Sequence, residues 1–286
     1  MEINKAVIGA AGYGTRFLPA TKVQPKEMLP LVDRPIIQYL VEEAVDSGIE
    51  EVVIVTRARA HSLEDHFDSN LELEMLLEQD GKLDRLEKVK RLQTLADFAF
   101  VRQHGDLPYG NATPLLATKH LLGDEPFVYM FGDDLVRSEV PATWQLIEKF
   151  QEEEPAALIA TQEVPWEEVS RYGVMSFSEG NQVEKIKEKP PLEKADSNQA
   201  QFGRFILTKK VVEEAEEMPP GKEGELWLTD ALNRVARRDR VLAETIDGEW
   251  LTTGDPLRYM KAMIKFALQR EELGDELEDF LKELVC

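Results

Sequence analysis

The chain has 286 residues, 43% of them hydrophobic and 31% charged. That is long enough for one large domain or a domain with an appendage, and too apolar for a disordered chain. A formal net charge of −21 repels phosphate backbones and anionic headgroups, so nucleic acid and membrane surfaces are excluded as partners.

The first element is "KAVIGA" (5–10), a buried strand that runs into a glycine loop. "PIIQYLVEEAVDS" (35–47) places Ile36, Ile37, Leu40, Val41, Ala44 and Val45 on one helical face, with Pro35 near its start and Gly48 past its end. "EVVIVT" (51–56) is a second continuous apolar strand. The charged stretch 62–97 has helical periodicity and reads as a solvated helical excursion. "FAFV" (98–101), a helix at about 112–122 and "FVYMF" (127–131) continue the alternation. Strand, helix, strand in this order predicts a parallel sheet covered on both faces.

After residue 155 the pattern turns mixed, with short strands in "AALIAT", "GVMSF", "VEKIKEK" and "FGRFIL". A loop, "PPGKEG" (219–224), precedes a helix in "LTDALNRVARR" that has Thr229 or Asp230 near its start. The last 30 residues form a long acidic helical pattern with Leu277, Phe280, Leu281 and Leu284 on one face. That stripe reads either as docking on the parent domain or as a subunit contact. The single cysteine, Cys286, allows no intrachain disulfide and is a poor nucleophile candidate, so a reducing cytoplasm is the expected home. "AVIGAAG" is too short and glycine-rich for a leader or a membrane span.

One stretch breaks the acidic character. Between Glu2 and Glu27 there is no acidic residue, but there are four cations, Lys5, Arg16, Lys22 and Lys26. Gly9, Gly12 and Gly14 follow the first strand, where open α/β sheets bind ligands. Their spacing is the reverse of the dinucleotide fingerprint, and Thr15-Arg16 stand where a P-loop needs Lys-Ser/Thr, so both of those folds are disfavoured. Arg16, Lys22 and Lys26, interrupted by Pro19 and Pro25, cannot lie on one long helix. They can wrap a polyphosphate while glycine amides approach from the other side.

"GAAGYGTRFLPATKVQPKEMLPLVDRPIIQYLVEEA" (9–44) closely resembles the N-terminal signature of the bacterial UTP–glucose-1-phosphate uridylyltransferases, in the sugar-nucleotidyltransferase superfamily. The similarity continues, in the family's order, through "HFDSNLELEMLLEQ" (66–79), "VRQ" (101–103), "YGVM" (172–175), "EKP" (188–190), "FGRF" (202–205) and "LTDAL" (228–232). It implies an α/β nucleotidyltransferase fold, with a Rossmann-like, mostly parallel sheet flanked by helices, a small mixed substrate-side sheet and a C-terminal helical segment. The implied organisation is a catalytic core over 1–218, with a nucleotide half at about 1–135 and a sugar-phosphate half at about 136–218. Residues 219–286 would complete that core and end in an acidic amphipathic helix.

The family joins UTP to glucose 1-phosphate, giving UDP-glucose and pyrophosphate, with Mg²⁺. The nucleophile is a phosphate oxygen that is already an anion, so positioning and charge neutralisation carry the catalysis. This accounts for the absence of a Ser/His/Asp or Cys/His set, and of metal-ligand spacing among His61, His66, His104 and His120. Carried over, the resemblance has Ala11 and Gly12 hold the nucleotide through backbone groups, while Arg16 and Lys26 clamp the triphosphate as the catalytic pair. Glu27 would contact the nucleotide, Gln103 would read the uracil edge, and Gly110 would let the base approach the backbone. Gly173, Glu188 and Lys189 match the sugar-phosphate subsite. Asp133, at the carboxyl end of "FVYMF" in "FGDD", matches the metal ligand, with Asp134 pointing elsewhere. A homo-oligomer is expected.

Two positions depart from the family pattern. "PYGNA" (108–112) has Asn111 where a histidine is usual. "EWLTTGDP" (249–256) has Thr252 where a second metal-binding aspartate is usual. Either Asp133 and the substrate phosphates hold the ion unaided, or Asp134 or Asp255 substitutes, or the chain is a weakened or regulatory relative. A related transferase using dTTP or another sugar phosphate is the same-class alternative.

Overall fold

The computed structural model describes residues 2–285, so Cys286 lies outside the described residues. Strand β1 (Lys5–Ala10) is followed by short helical turns and a small ribbon of β2 (Pro30–Leu31) and β3 (Arg34–Pro35). Helix α1 (Ile36–Asp46) then leads to β4 (Glu51–Thr56). The charged stretch folds as α2 (His61–Phe67), α3 (Leu71–Gln79) and α4 (Leu83–Leu92), and returns in β5 (Asp97–Arg102). Next come α5 (Thr113–Thr118), shorter than its apolar pattern predicts, β6 (Phe127–Phe131) and β7 (Asp134–Arg137). Helix α6 (Ala142–Glu153) precedes β8 (Ala157–Glu163), β9 (Gly173–Phe177), β10 (Val183–Glu188) and β11 (Gln199–Leu207). The chain finishes with α7 (Lys209–Glu217), α8 (Leu228–Ala236), β12 (Val241–Thr245), β13 (Glu249–Thr252), α9 (Pro256–Leu268) and α10 (Gly274–Val285).

The main sheet runs β10-β9-β11-β6-β1-β4-β5, with β8 paired to β11 and β12 paired to β8. The four strands β6-β1-β4-β5 are parallel, as their near-continuous apolar runs require. Strand β11 runs antiparallel to both β6 and β8 and so joins the parallel half to the mixed half. Helices cover both faces over two apolar layers, one containing Ile8, Ile54 and Phe202, the other Val7, Val55 and Phe205. Arg204 is fully buried in this core, and its guanidinium donates two hydrogen bonds to Glu43 of α1 (2.9 and 2.7 Å). A separate two-stranded sheet pairs β7 with β13 and sets Thr252 opposite Asp134.

The C-terminal pattern is not one long helix. It is split between α9 and α10, where a methyl group on Gly274 would lie 2.6 Å from the Leu268 carbonyl oxygen. The stripe is only partly covered, with α10 packed against α9. Leu277 and Leu281 are half-buried, but Phe280 is 56% and Leu284 69% exposed. Among the described residues no helix is long and apolar enough to cross a membrane.

Candidate active site

The chain leaves β1 at the carboxyl edge of the parallel strands, the edge where such sheets bind ligands. Gly14 has φ of 61°, and a methyl group there would sit 3.2 Å from both Lys26 Cβ and Thr21 Cγ2. The turn therefore needs glycine both for its backbone and for its tight packing. Thr21 donates a hydrogen bond to the Gly14 carbonyl (2.7 Å) and ties the loop down. Three helical turns at 15–17, 20–22 and 26–28 follow, each too short to carry the cations apart.

Arg16 and Lys26 both reach the ends of β6 and β13. Lys26 Nζ lies 2.6 Å from Asp133 Oδ2 and 3.9 Å from Glu27 Oε1, and Arg16 Nη1 donates to the Gly254 carbonyl (3.1 Å). Burial alone would lower the Lys26 pKa. The carboxylates of Asp133 and Glu27 outweigh it and hold the ammonium protonated well above the usual lysine range. Gly254 marks where these groups meet. A methyl group on it would lie 2.9 Å from Asp133 Oδ2, 3.5 Å from Thr252 Oγ1 and 3.7 Å from Arg16 Nη1.

Glu27 is 1% exposed, and neither of its carboxylate oxygens is hydrogen-bonded. Burial pushes its pKa up to about 7, with Lys26 pulling the other way. It sits beneath Lys26, against Gly132, where a methyl group would come within 2.8 Å of its Cγ. Asp134 points inward. Its Oδ1 accepts from Trp250 Nε1 (2.8 Å) and its Oδ2 from the Gly203 amide (3.0 Å), while burial raises its pKa to about 6.

The other wall belongs to β9 and β10. Gly173 and Glu188 are register partners, and a methyl group on Gly173 would be 2.4 Å from Gln201 Nε2. Burial pushes the Glu188 carboxyl up against the opposing pull of Lys189. Lys189 has φ of 45°, a left-handed backbone that is uncommon for a side-chain-bearing residue and costs about 1–3 kcal/mol. Its amide donates to the Tyr172 carbonyl (2.9 Å). Its ammonium lies 3.6 Å from Glu188 Oε1 and 4.6 Å from the centroid of the Trp227 ring.

These two walls enclose one cavity of about 680 Å³, lined among others by Arg16, Asp133, Gly173, Glu188 and Lys189. Ala11, Gly12, Lys26, Glu27, Gln103 and Gly110 lie outside its walls, on the loops that leave β1 and β5. A methyl group on Gly12 would touch Lys26 Cε (3.7 Å) and the Tyr109 hydroxyl (4.0 Å). Tyr13 and Tyr109 stack with centroids 6.3 Å apart, joining those two loops. Gly110 has φ of 145° and packs directly on the Leu226 backbone. Asn111 stands at the start of α8, where its Oδ1 accepts from the Leu228 amide (2.7 Å) and so caps that helix.

Among the described residues no group of three His, Cys, Asp or Glu side chains is placed to hold a metal ion. Asp134 is committed as above, and Asp255 caps α9, accepting from the Arg258 amide (3.1 Å) and Arg258 Nη1 (2.9 Å). Asp133 is the carboxylate left facing the cavity, with the Thr252 hydroxyl beside it. One carboxylate plus phosphate oxygens is a donor set that suits Mg²⁺, which keeps several waters and is commonly held by phosphates. The residues therefore fit an ion that arrives on a triphosphate, and do not form a cage of their own.

Sequence reasoning missed Trp227, Gln201, Tyr172, Trp250 and Arg258, all of which line the cavity. A signal existed for Gln201, a polar side chain in a strand whose other polar residues are only Gln199 and Arg204. Trp250 and Arg258 reach the site through pairings that no local pattern reveals.

The family model for nucleotidyl transferases matches residues 5–269. The chain is 43% identical to the UTP–glucose-1-phosphate uridylyltransferase of Bacillus subtilis (strain 168), covering 99% of this chain and 98% of that one. Among solved structures it superposes on a UTP-bound UGPase from Acinetobacter baumannii with a TM-score of 0.90, 35% identity and coverage of 99% and 100%. It also matches a UDP-glucose pyrophosphorylase complexed with UDP-glucose, at a TM-score of 0.84, 37% identity and coverage of 94% and 100%.

Proposed function

The chain belongs to the UTP–glucose-1-phosphate uridylyltransferases of the nucleotidyl transferase family, and from that premise we propose that it converts UTP and glucose 1-phosphate into UDP-glucose and pyrophosphate. The observation that carries this reading is the Lys26–Asp133 pair, whose aspartate lines one cavity together with Arg16, Glu188 and Lys189. On this reading Arg16 and Lys26 form the cationic clamp, and Glu188 and Lys189 form the sugar-phosphate wall.

A phosphate oxygen of the sugar attacks the α-phosphorus of UTP, a new P–O bond forms, and the bond to the bridging oxygen breaks as pyrophosphate leaves. No proton has to be removed from the nucleophile, so the protein contributes position and charge. Arg16 and Lys26 neutralise the triphosphate and the departing pyrophosphate. Lys189 holds the sugar phosphate, and Glu188 accepts hydrogen bonds from sugar hydroxyls. Ala11, Gly12 and Gly110 approach the nucleotide through backbone, and Gln103 reads the uracil edge. Glu27 acts from below, by holding Lys26 charged. Mg²⁺ bound by Asp133 and the phosphates would neutralise further charge.

The single cysteine supports a cytoplasmic home, and the exposed Phe280 and Leu284 of α10 support a homo-oligomer. One observation favours a second reading, a regulatory relative without turnover: Thr252 supplies a hydroxyl beside Asp133 where a carboxylate would bind the ion more strongly.

Purified protein mixed with UTP, glucose 1-phosphate and Mg²⁺ should release pyrophosphate. UDP-glucose binding without any release would select the regulatory reading. Thr252→Asp should lower the Mg²⁺ concentration needed for half-maximal rate. An unchanged requirement would mean that position 252 does not face the ion.

A further inference from the structure

Strand β11 runs through the centre of the molecule and its side chains are almost all apolar or paired. Gln201 is the exception. It is 5% exposed, its Oε1 is buried, and that oxygen accepts no hydrogen bond. Buried acceptors without donors destabilise a fold, so each one calls for an explanation. The residue lines the cavity, and its amide packs on Gly173, the register partner of Glu188. Glu188 Oε2 is a second buried oxygen without a partner in the same wall. Two unpartnered buried oxygens in the lining of one cavity match a ligand that brings donors. The adjacent Glu188 carboxylate disfavours a phosphate at this spot, and Lys189 already offers the phosphate its charge further along.

We propose that Gln201 is a specificity-determining residue for the sugar, its side-chain amide bonding one ring hydroxyl of the hexose 1-phosphate. A hydroxyl donates and accepts, so it satisfies Gln201 whichever way the amide is turned. The amide is already nearly buried and packed on Gly173, so little side-chain freedom is lost when the sugar arrives. The inference rests on the transfer reaction proposed above and adds to it which part of the protein reads the sugar. A site built to bond a hydroxyl rejects analogues that lack it, because its own polar group is then left unpaired.

The test compares wild type with Gln201→Leu on glucose 1-phosphate and its 2-, 3-, 4- and 6-deoxy analogues, following pyrophosphate release. In the variant, KM for glucose 1-phosphate should rise about tenfold while KM for UTP stays unchanged. Wild type should discriminate against one deoxy analogue by a similar factor, and the variant should lose that discrimination alone. Thermal melting without substrate supplies a second readout, since removing an unpartnered buried acceptor should leave the melting temperature equal or higher. Gln201→Met, closer in shape, replaces leucine if the first variant fails to fold. Unchanged KM and unchanged discrimination against every analogue would overturn the assignment of Gln201. No release by wild type would overturn the transfer reaction itself, which is a separate outcome.

Discussion

At the scale of single residues, the site is governed by one lysine between two carboxylates. The Lys26 side chain is half-buried, and Asp133 and Glu27 keep it charged. Replacing it by alanine should therefore lower kcat about 10²–10³-fold, comparable to removing one transition-state hydrogen-bond donor, with circular dichroism unchanged. Wild-type turnover in that variant would refute its role. Glu27 makes a second test through pH. Its carboxyl is held up to about 7 against an ordinary 4.5, so the folded state binds the proton more tightly than the unfolded chain does. The stability from this group is complete below about pH 4.5 and lost as pH rises through about 7. Glu27→Gln should flatten that descent in melting temperature between about pH 5 and 8 in the ligand-free protein. A slope equal to wild type would assign the titration to another group.

Elements decide whether these residues meet. The loop after β5 closes onto the segment before α8 through two backbone hydrogen bonds, Leu226 N to Tyr109 O (2.7 Å) and Ala112 N to Leu226 O (3.0 Å). Gly110 lies between them, where a methyl group would approach the Leu226 carbonyl oxygen to 2.2 Å. Backbone on both sides cannot yield, and φ of 145° is itself costly for alanine. Gly110→Ala should cost about 2–3 kcal/mol in urea unfolding and raise KM for UTP more than KM for the sugar phosphate. Equal stability would mean the loop has an alternative seat. Strands β1, β4 and β6 were legible in the sequence because buried parallel strands are continuous apolar runs bounded by glycine or charge. That Asp134 points away from the Asp133 side was expected from strand alternation, but its anchor, Trp250, is 116 residues away and invisible to any local pattern. The break between α9 and α10 was hidden because the apolar period resumes after it in nearly the same phase. Gln201 showed itself only as a polar residue in a strand, and its place beside Gly173, like that of Trp227 beside Lys189, comes from tertiary pairing alone.

The whole molecule carries a charge of −21, and that excess of acid makes its stability depend on salt. Like charges spread over the surface repel one another and weaken the compact state at low ionic strength. Salt at about 0.1–0.15 M shortens the reach of that repulsion to about 8–10 Å. The melting temperature should accordingly rise between about 0.01 and 0.15 M sodium chloride, whereas a salt-independent value would mean that surface ion pairs such as Arg270–Asp33 already offset the excess acid.

The Lys26–Asp133 contact also readies the clamp in advance. In the resting protein that ammonium is already held by a carboxylate 2.6 Å away. An ammonium carries three donors, so a phosphate oxygen can join Asp133 on it without breaking that contact. The charge therefore stands in position before any nucleotide arrives, and little side-chain freedom is lost when one does.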